Sequence, residues 1–239
     1  MKNGKIRTRT YILISLMLLL PLLATLYSPL LMVEGIKSGI ITLSFLVFAL
    51  WLILSLFMGR SVSCGYTCPY GALQEILGRY ANKKPRSQRA NKIRYLFAVL
   101  SLLIVSYSIL KIGGLKGVDL LAPTGNPKLV ILIPLFIIIT GILSIIFGSR
   151  AFCKYLCPQG VFLTIGTKLG RKIKIPSLHL ETNHNCSNCE LCNNSCPMGL
   201  DVNYMVKNDT MDDLNCILCG ECVENCPKKS INYSFSIKD

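Results

Sequence analysis

Cysteine is the residue with the most chemistry to offer in this 239-residue chain, and spacing sorts its 12 copies into two kinds. One kind forms two runs of a single pattern, Cys186-x2-Cys189-x2-Cys192-x3-Cys196-Pro197 and Cys216-x2-Cys219-x2-Cys222-x3-Cys226-Pro227. Three thiolates at this spacing wrap three corners of an iron–sulfur cubane from one tight loop, and the fourth cysteine of each run ligates the other cluster. The runs therefore predict two [4Fe–4S] clusters. Cys186, Cys189, Cys192 and Cys226 would hold one, and Cys216, Cys219, Cys222 and Cys196 the other. Structural zinc usually takes two short cysteine pairs around a longer spacer, which fits two complete four-cysteine runs poorly.

The remaining cysteines form a repeat. Gly59-x4-Cys64-Gly-Tyr-Thr-Cys68-Pro69-Tyr-Gly71 returns as Gly148-x4-Cys153-Lys-Tyr-Leu-Cys157-Pro158-Gln-Gly160, 89 residues later. If the two copies are related by a pseudo-twofold axis, Cys64, Cys68, Cys153 and Cys157 converge on one site. A third iron–sulfur cluster is the leading reading of four such thiols. Zinc or a structural thiol site is a second, and a pair of redox-active dithiols working with a quinone a third. Pro69 and Pro158 break the preceding geometry, while Gly71 and Gly160 relieve steric limits in the turn that follows. Near the first copy, Tyr66, Tyr70, Gln74 and Glu75 could serve a quinol's hydroxyl and proton, although residues at a membrane interface often have these types without such a role.

Each motif follows a long apolar run. Tyr11 to Val33, Ile40 to Met58, Ile93 to Leu110 and Leu129 to Phe147 each approach the ~20 residues needed to cross a bilayer. The first is too long for a signal peptide's apolar core and shows no cleavage site after Pro29, so it reads as a helix kinked at Pro21. Lys2, Lys5, Arg7 and Arg9 precede the first run, and basic residues dominate Arg60 to Arg94. The outer loops carry few charges, so both termini are expected in the cytoplasm. In that reducing compartment structural disulfides are disfavoured. The net charge of +14 sits beside the apolar runs, where membrane topology requires it, which argues against nucleic-acid binding. The stretches Ala72 to Tyr80 and Val161 to Leu169 are amphipathic and are expected to lie along the inner membrane interface.

His179 and His184, the only histidines, fall in a basic linker with no ligand spacing around them and read as surface residues. No histidine lies in an apolar run, which excludes a bis-histidine haem in the bilayer. Pro176 marks the boundary between residues 1–175, a four-helix transmembrane module, and residues 176–239, a cytoplasmic two-cluster domain. In the latter, Leu200 to Leu214 is long enough for one helix, and Ile231 to Ile237 alternates like a short strand. The expected fold is an all-α membrane module of two helix-pair repeats followed by a small α+β ferredoxin-like domain.

With these residues in hand, the chain resembles the NapH-type family of membrane polyferredoxins, whose membrane module is related to that of NosR-type proteins. The resemblance rests on two C-x3-C-P motifs after alternate helices followed by the double cysteine run. It implies electron transfer between the quinone pool and a partner redox protein, as a subunit of a quinol dehydrogenase rather than a stand-alone enzyme. Tyr66 stands where the family pattern leads one to expect tryptophan, and Arg150 is displaced by one residue relative to Arg60. Two other roles stay open: an accessory protein supplying electrons or metal for maturation of another membrane enzyme, and a redox-sensing regulator, which no DNA-binding or signalling segment supports.

Overall fold

A computed structural model describes residues 8–23, 27–81, 93–112, 117–118, 127–183 and 185–237. The basic residues Lys2, Lys5 and Arg7, most of the basic segment between Arg79 and Arg94, and His184 lie outside the described residues. The chain is mostly helical. Its first apolar run is broken, against the expectation of one helix, into α1 (Thr8–Leu18), α2 (Leu20–Leu23) and α3 (Pro29–Lys37). The second break has a local cause. Ser28 takes the extended backbone (φ −78°, ψ 119°) that a residue before proline prefers, and Pro29 opens α3 where its missing N–H costs nothing.

The helix α4 (Leu43–Met58) starts at Thr42, whose hydroxyl accepts from the Phe45 amide, and ends at Gly59 in a positive-φ turn. A π-helix, Ser61–Thr67, then turns the chain by 109° and carries the first C-x3-C motif. The helix α5 (Pro69–Tyr80) follows at once. The second half repeats the plan: α6 (Ile93–Ile112), α7 (Pro127–Phe147), the short α8 (Ala151–Tyr155) and α9 (Pro158–Lys172). A small parallel pair, β1 (Ile40–Ile41) with β2 (Gly117–Val118), joins the two halves at one end. Among the described residues, one helix (Ile93–Lys111) is long and apolar enough to cross a membrane alone, and a second qualifies if α4 and the bent π-helix count as one span.

The two halves are crossed. α5 packs on α7, and α9 packs on α4, so each motif's following helix lies against the long helix of the other half. Most of α5, including Gln74 and Glu75, is buried rather than lying on a surface. Close approach is written into the glycines: a Cβ on Gly170 would meet the Leu56 carbonyl at 2.5 Å.

The C-terminal unit begins with β3 (Ser177–Thr182), which pairs antiparallel with β4 (Ile231–Ser236) from Ser177 opposite Ser236 to Thr182 opposite Ile231. Between them lie α10 (Leu191–Ser195), α11 (Val202–Lys207) and α12 (Glu221–Glu224). The expected helix over Leu200 to Leu214 is much shorter: Asp201 caps α11 through the Tyr204 amide, and the chain leaves the helix at Asp209, which has φ of 51°. His179 is buried in β3, not on a linker surface, and its ring is satisfied locally by the Ser177 carbonyl (2.8 Å) and the Glu181 carboxylate (3.0 Å). The core of the unit combines cysteines with Leu180, Met198, Val206, Ile217 and Ile231.

Candidate iron–sulfur centres

All twelve cysteines are free thiols. In the C-terminal unit the two runs have the same local geometry. The residue two after the first cysteine is left-handed in both, Asn188 (φ 57°) and Leu218 (φ 49°). So is the residue four after it, Glu190 (φ 55°) and Gly220 (φ 79°). The Asn188 amide donates to Cys186 Sγ (3.5 Å) and the Leu218 amide to Cys216 Sγ (3.4 Å). The last cysteine of each run likewise receives backbone N–H groups, Cys196 from Leu200 and Cys226 from Ser230 (3.2 Å). Amides aimed at sulfur stabilise thiolate over thiol, which suits residues that must ligate as thiolates. Left-handed backbone at non-glycine positions costs about 1–3 kcal/mol each, and Asn188, Glu190 and Leu218 bear it while Gly220 avoids it.

Cys196, Cys216, Cys219 and Cys222 wall a single buried cavity together with Met198, Leu200 and Ile217. Cys196 comes from the other run, so the crossing of the fourth cysteine is present in the fold. Cys192 lies in the field of Cys186 and Cys189, and that loop is the outer one, with Cys189 exposed and Cys219 and Cys222 buried.

The four C-x3-C-P thiols also come together. Cys68 is in the electrostatic field of Cys153, Cys64 and Cys157, and Cys157 in that of Cys153 and Cys64. Burial pushes Cys157 up to about 12 and Cys68 higher, and the neighbouring sulfurs push the same way. Among the described residues no group of three or more His, Cys, Asp or Glu is close enough to hold a single metal ion. The Gly71 and Gly160 amides donate to Cys68 and Cys157, so the two half-sites share a backbone bond as well as a sequence.

The glycines have a use beyond the turn. A Cβ on Gly71 would stand 3.0 Å from Arg150 Nη1, and one on Gly160 would stand 3.0 Å from Arg60 Nη2. Each half thus lays its arginine over the other half's glycine. The one-residue offset between the arginines is absorbed by the π-helix. Arg60 precedes Cys64 by one residue more than Arg150 precedes Cys153, and the wider π turn, with Gly65 N–H bonded to the Arg60 carbonyl (3.1 Å), takes up the difference. Arg150 is itself left-handed (φ 57°) and donates to the Cys64 carbonyl.

Sequence reasoning missed the ion-pair network behind this site. Glu75 is fully buried and accepts from Arg9 (2.7 Å), Arg79 (2.8 Å) and Arg150 (2.7 Å). Burial alone would raise its pKa, but Arg150, then Arg9 and Arg79, outweigh that and hold it at about 2. Arg9 also reaches Glu221 (2.6 Å) in the C-terminal unit. Gln74 is buried beside it, donating to Cys153 Sγ (3.6 Å) and accepting from the Phe152 amide (3.0 Å). Tyr66 donates to the Cys219 carbonyl (3.2 Å). These contacts engage Tyr66, Gln74 and Glu75 within the protein.

The two units meet at these same loops. Ser61 donates to the Leu218 carbonyl (3.4 Å) and Lys154 to the Met198 carbonyl (3.1 Å), while Cys64 packs against the core that holds Cys219 and Cys222. Fold and cysteine geometry together define a ferredoxin-like iron–sulfur protein. A 4Fe-4S dicluster domain model matches residues 185–231, and a 4Fe-4S binding domain model matches twice, at residues 40–87 and 130–176, once on each repeat. The chain is 31% identical over 198 residues to the uncharacterized protein MJ0750 of Methanocaldococcus jannaschii, covering 78% of this chain and 76% of that one. It is 24% identical to the putative electron transport protein YccM of Escherichia coli, over 87% of this chain and 59% of YccM. To the ferredoxin-type protein NapH of Haemophilus influenzae it is 24% identical, over 74% of this chain and 63% of NapH. No solved structure matches. The chain belongs to the NapH-type 4Fe–4S membrane ferredoxin family, which is related to NosR.

Proposed function

We propose that this chain is a membrane-bound iron–sulfur relay that passes electrons between a quinone and a partner redox protein. Residues 1–175 form the membrane module, with four spans, and residues 176–239 form the cytoplasmic two-cluster domain. The observation that carries the reading is that Cys64, one of the four converging C-x3-C-P thiols, packs against the core that holds Cys219 and Cys222.

The donor sets suit iron–sulfur clusters. Cys186, Cys189, Cys192 and Cys226 would hold one cubane and Cys216, Cys219, Cys222 and Cys196 a second. Cys64, Cys68, Cys153 and Cys157 would hold a third. Such clusters carry one electron at a time. Buried thiols with raised pKa values make poor attacking groups, because disulfide exchange needs thiolate. Metal binding removes those protons, so the same burial that disfavours a dithiol mechanism is compatible with ligation. The arginines over the glycines supply positive charge for thiolate ligands, and the backbone amides orient the sulfurs.

Membrane insertion is supported by α6, whose leucines and isoleucines are exposed around most of its circumference. An apolar cavity of ≈ 180 Å³ lies between α3, α4, α6 and α9. Phe48, Val105, Phe162 and Gln159 are in its wall, and Gln159 is two residues from Cys157. This suits a quinone ring and supports reading the organic partner at the second motif rather than the first. The outer loop around the exposed Cys189 is then the face for the protein partner.

The test is iron and acid-labile sulfide per chain after anaerobic purification, on the parent and on a Cys64→Ser/Cys153→Ser variant. About 12 irons falling to about 8 is the expected result. About 8 in both would remove the third cluster and leave the membrane thiols as dithiols or a structural site.

A further inference from the structure

We infer that Arg60 is the unmatched counter-charge of the four-thiol site and raises the reduction potential of the group bound there. The inference rests on the reading of that site as a third cluster.

Two buried guanidiniums face the thiols, but their surroundings differ. Arg150 donates from Nε to Glu75 at 2.7 Å. Arg60 is 2% exposed, and its side-chain partners are the Leu214 carbonyl (3.4 Å) and Cys64 Sγ (3.7 Å). Its Nε has no partner, and no carboxylate among the described residues pairs with it. The repeat explains the difference. Glu75 follows Cys68 by seven residues, and the residue that follows Cys157 by seven is Thr164. Thr164 is buried, and its hydroxyl donates to the Gly160 carbonyl at 2.7 Å. The second half of the site therefore has the arginine without the acid.

A buried cation is strongly unfavourable unless an anion answers it. The anions within reach of Arg60 are sulfurs: Cys64 first, then Cys157 and Cys153. The wider network points the same way. Among the described residues, Arg9, Arg79 and Arg150 share Glu75 and Glu221, and Arg60 pairs with neither. An oxidised [4Fe–4S] core on four thiolates is a dianion, which supplies the anion that Arg60 lacks. One-electron reduction adds one more negative charge with no bond formed or broken and no proton required. Arg60 stabilises the reduced site more than the oxidised one, because Coulomb attraction grows with the charge it acts on. Arg150, neutralised by Glu75, does so much less.

The experiment is a dithionite titration followed by electron paramagnetic resonance, with iron counted in parallel, on the full chain and on Arg60→Lys, Arg60→Gln and Thr164→Glu. The signal that disappears in Cys64→Ser/Cys153→Ser marks the site. Its midpoint should fall in Arg60→Gln and in Thr164→Glu and stay near the parent in Arg60→Lys. The two ferredoxin signals should hold their midpoints throughout, which reports an intact fold. Thr164→Glu is the sharper variant, since it supplies the missing acid and leaves Arg60 in contact with Cys64. A site midpoint unmoved in both Gln and Glu variants overturns the inference, as does an equal shift of all three signals. If Arg60→Gln drops from about 12 irons to about 8 while Arg60→Lys keeps them, the charge itself holds the group, and the midpoint in Thr164→Glu decides the inference. If both lose iron, the midpoint in Thr164→Glu decides. A parent with about 8 irons and no third signal removes the cluster reading, and the role of Arg60 falls with it.

Discussion

At the scale of residues, the cysteine runs of the dicluster domain are legible because their pattern is local: a cubane asks for thiolates a few positions apart, and the chain writes that spacing twice. Glu75 was not legible. In the sequence it is one acid near a membrane motif, and its partners Arg9 and Arg150 lie 66 and 75 positions away. Its role gives a prediction with a definite sign. Glu75 is held at about 2, below its ordinary 4.5, so its contribution to stability is complete above pH 4.5 and is lost as pH falls toward 2. Glu75→Gln leaves two buried arginines short of an anion and should cost about 3–5 kcal/mol. Unfolding in detergent at pH 8 and at pH 5.5 should show the same gap between variant and parent. A gap that closes by pH 5.5 would mean the carboxylate titrates above its ordinary range and is not the centre of the network.

At the scale of elements, apolar length located the helices well from α4 onward and failed where proline intervened. The run from Tyr11 to Val33 is continuous in hydrophobicity, but hydrophobicity says nothing about backbone N–H groups, and Pro29 begins a new helix. The π-helix was equally hidden, because an extra residue per turn leaves no compositional trace. It also lies close against the C-terminal unit. A Cβ on Gly65 would stand 2.7 Å from the Ile217 carbonyl, which is backbone and cannot rotate away. Gly65→Ala should therefore destabilise the protein by about 1–3 kcal/mol. Its effect should appear as faster amide exchange around Ile217 and Leu218, with ligands untouched. Unchanged exchange there would show that the contact has slack.

At the scale of the whole molecule, the interface between the units is polar at its edge and is closed by the amino-terminal helix. Arg9 binds Glu75 on one side and Glu221 on the other, beside Cys222. Arg9→Gln should loosen α12 against the membrane module. Hydrogen exchange at residues 219–224 would rise while that of β3 and β4 stays constant, and a uniform rise would indicate general unfolding instead. The crossing of the halves, with α5 on α7 and α9 on α4, bears on how such a molecule can be made. When the ribosome has completed α5, Cys64 and Cys68 exist but the surfaces that face them do not. The companion thiols and Arg150 arrive only after the chain has passed back through α6 and α7. If the four thiols hold a cluster as proposed, it can be loaded only onto a finished second half, and a nascent chain stalled between the halves would expose two unguarded thiols to whatever oxidant or metal it meets.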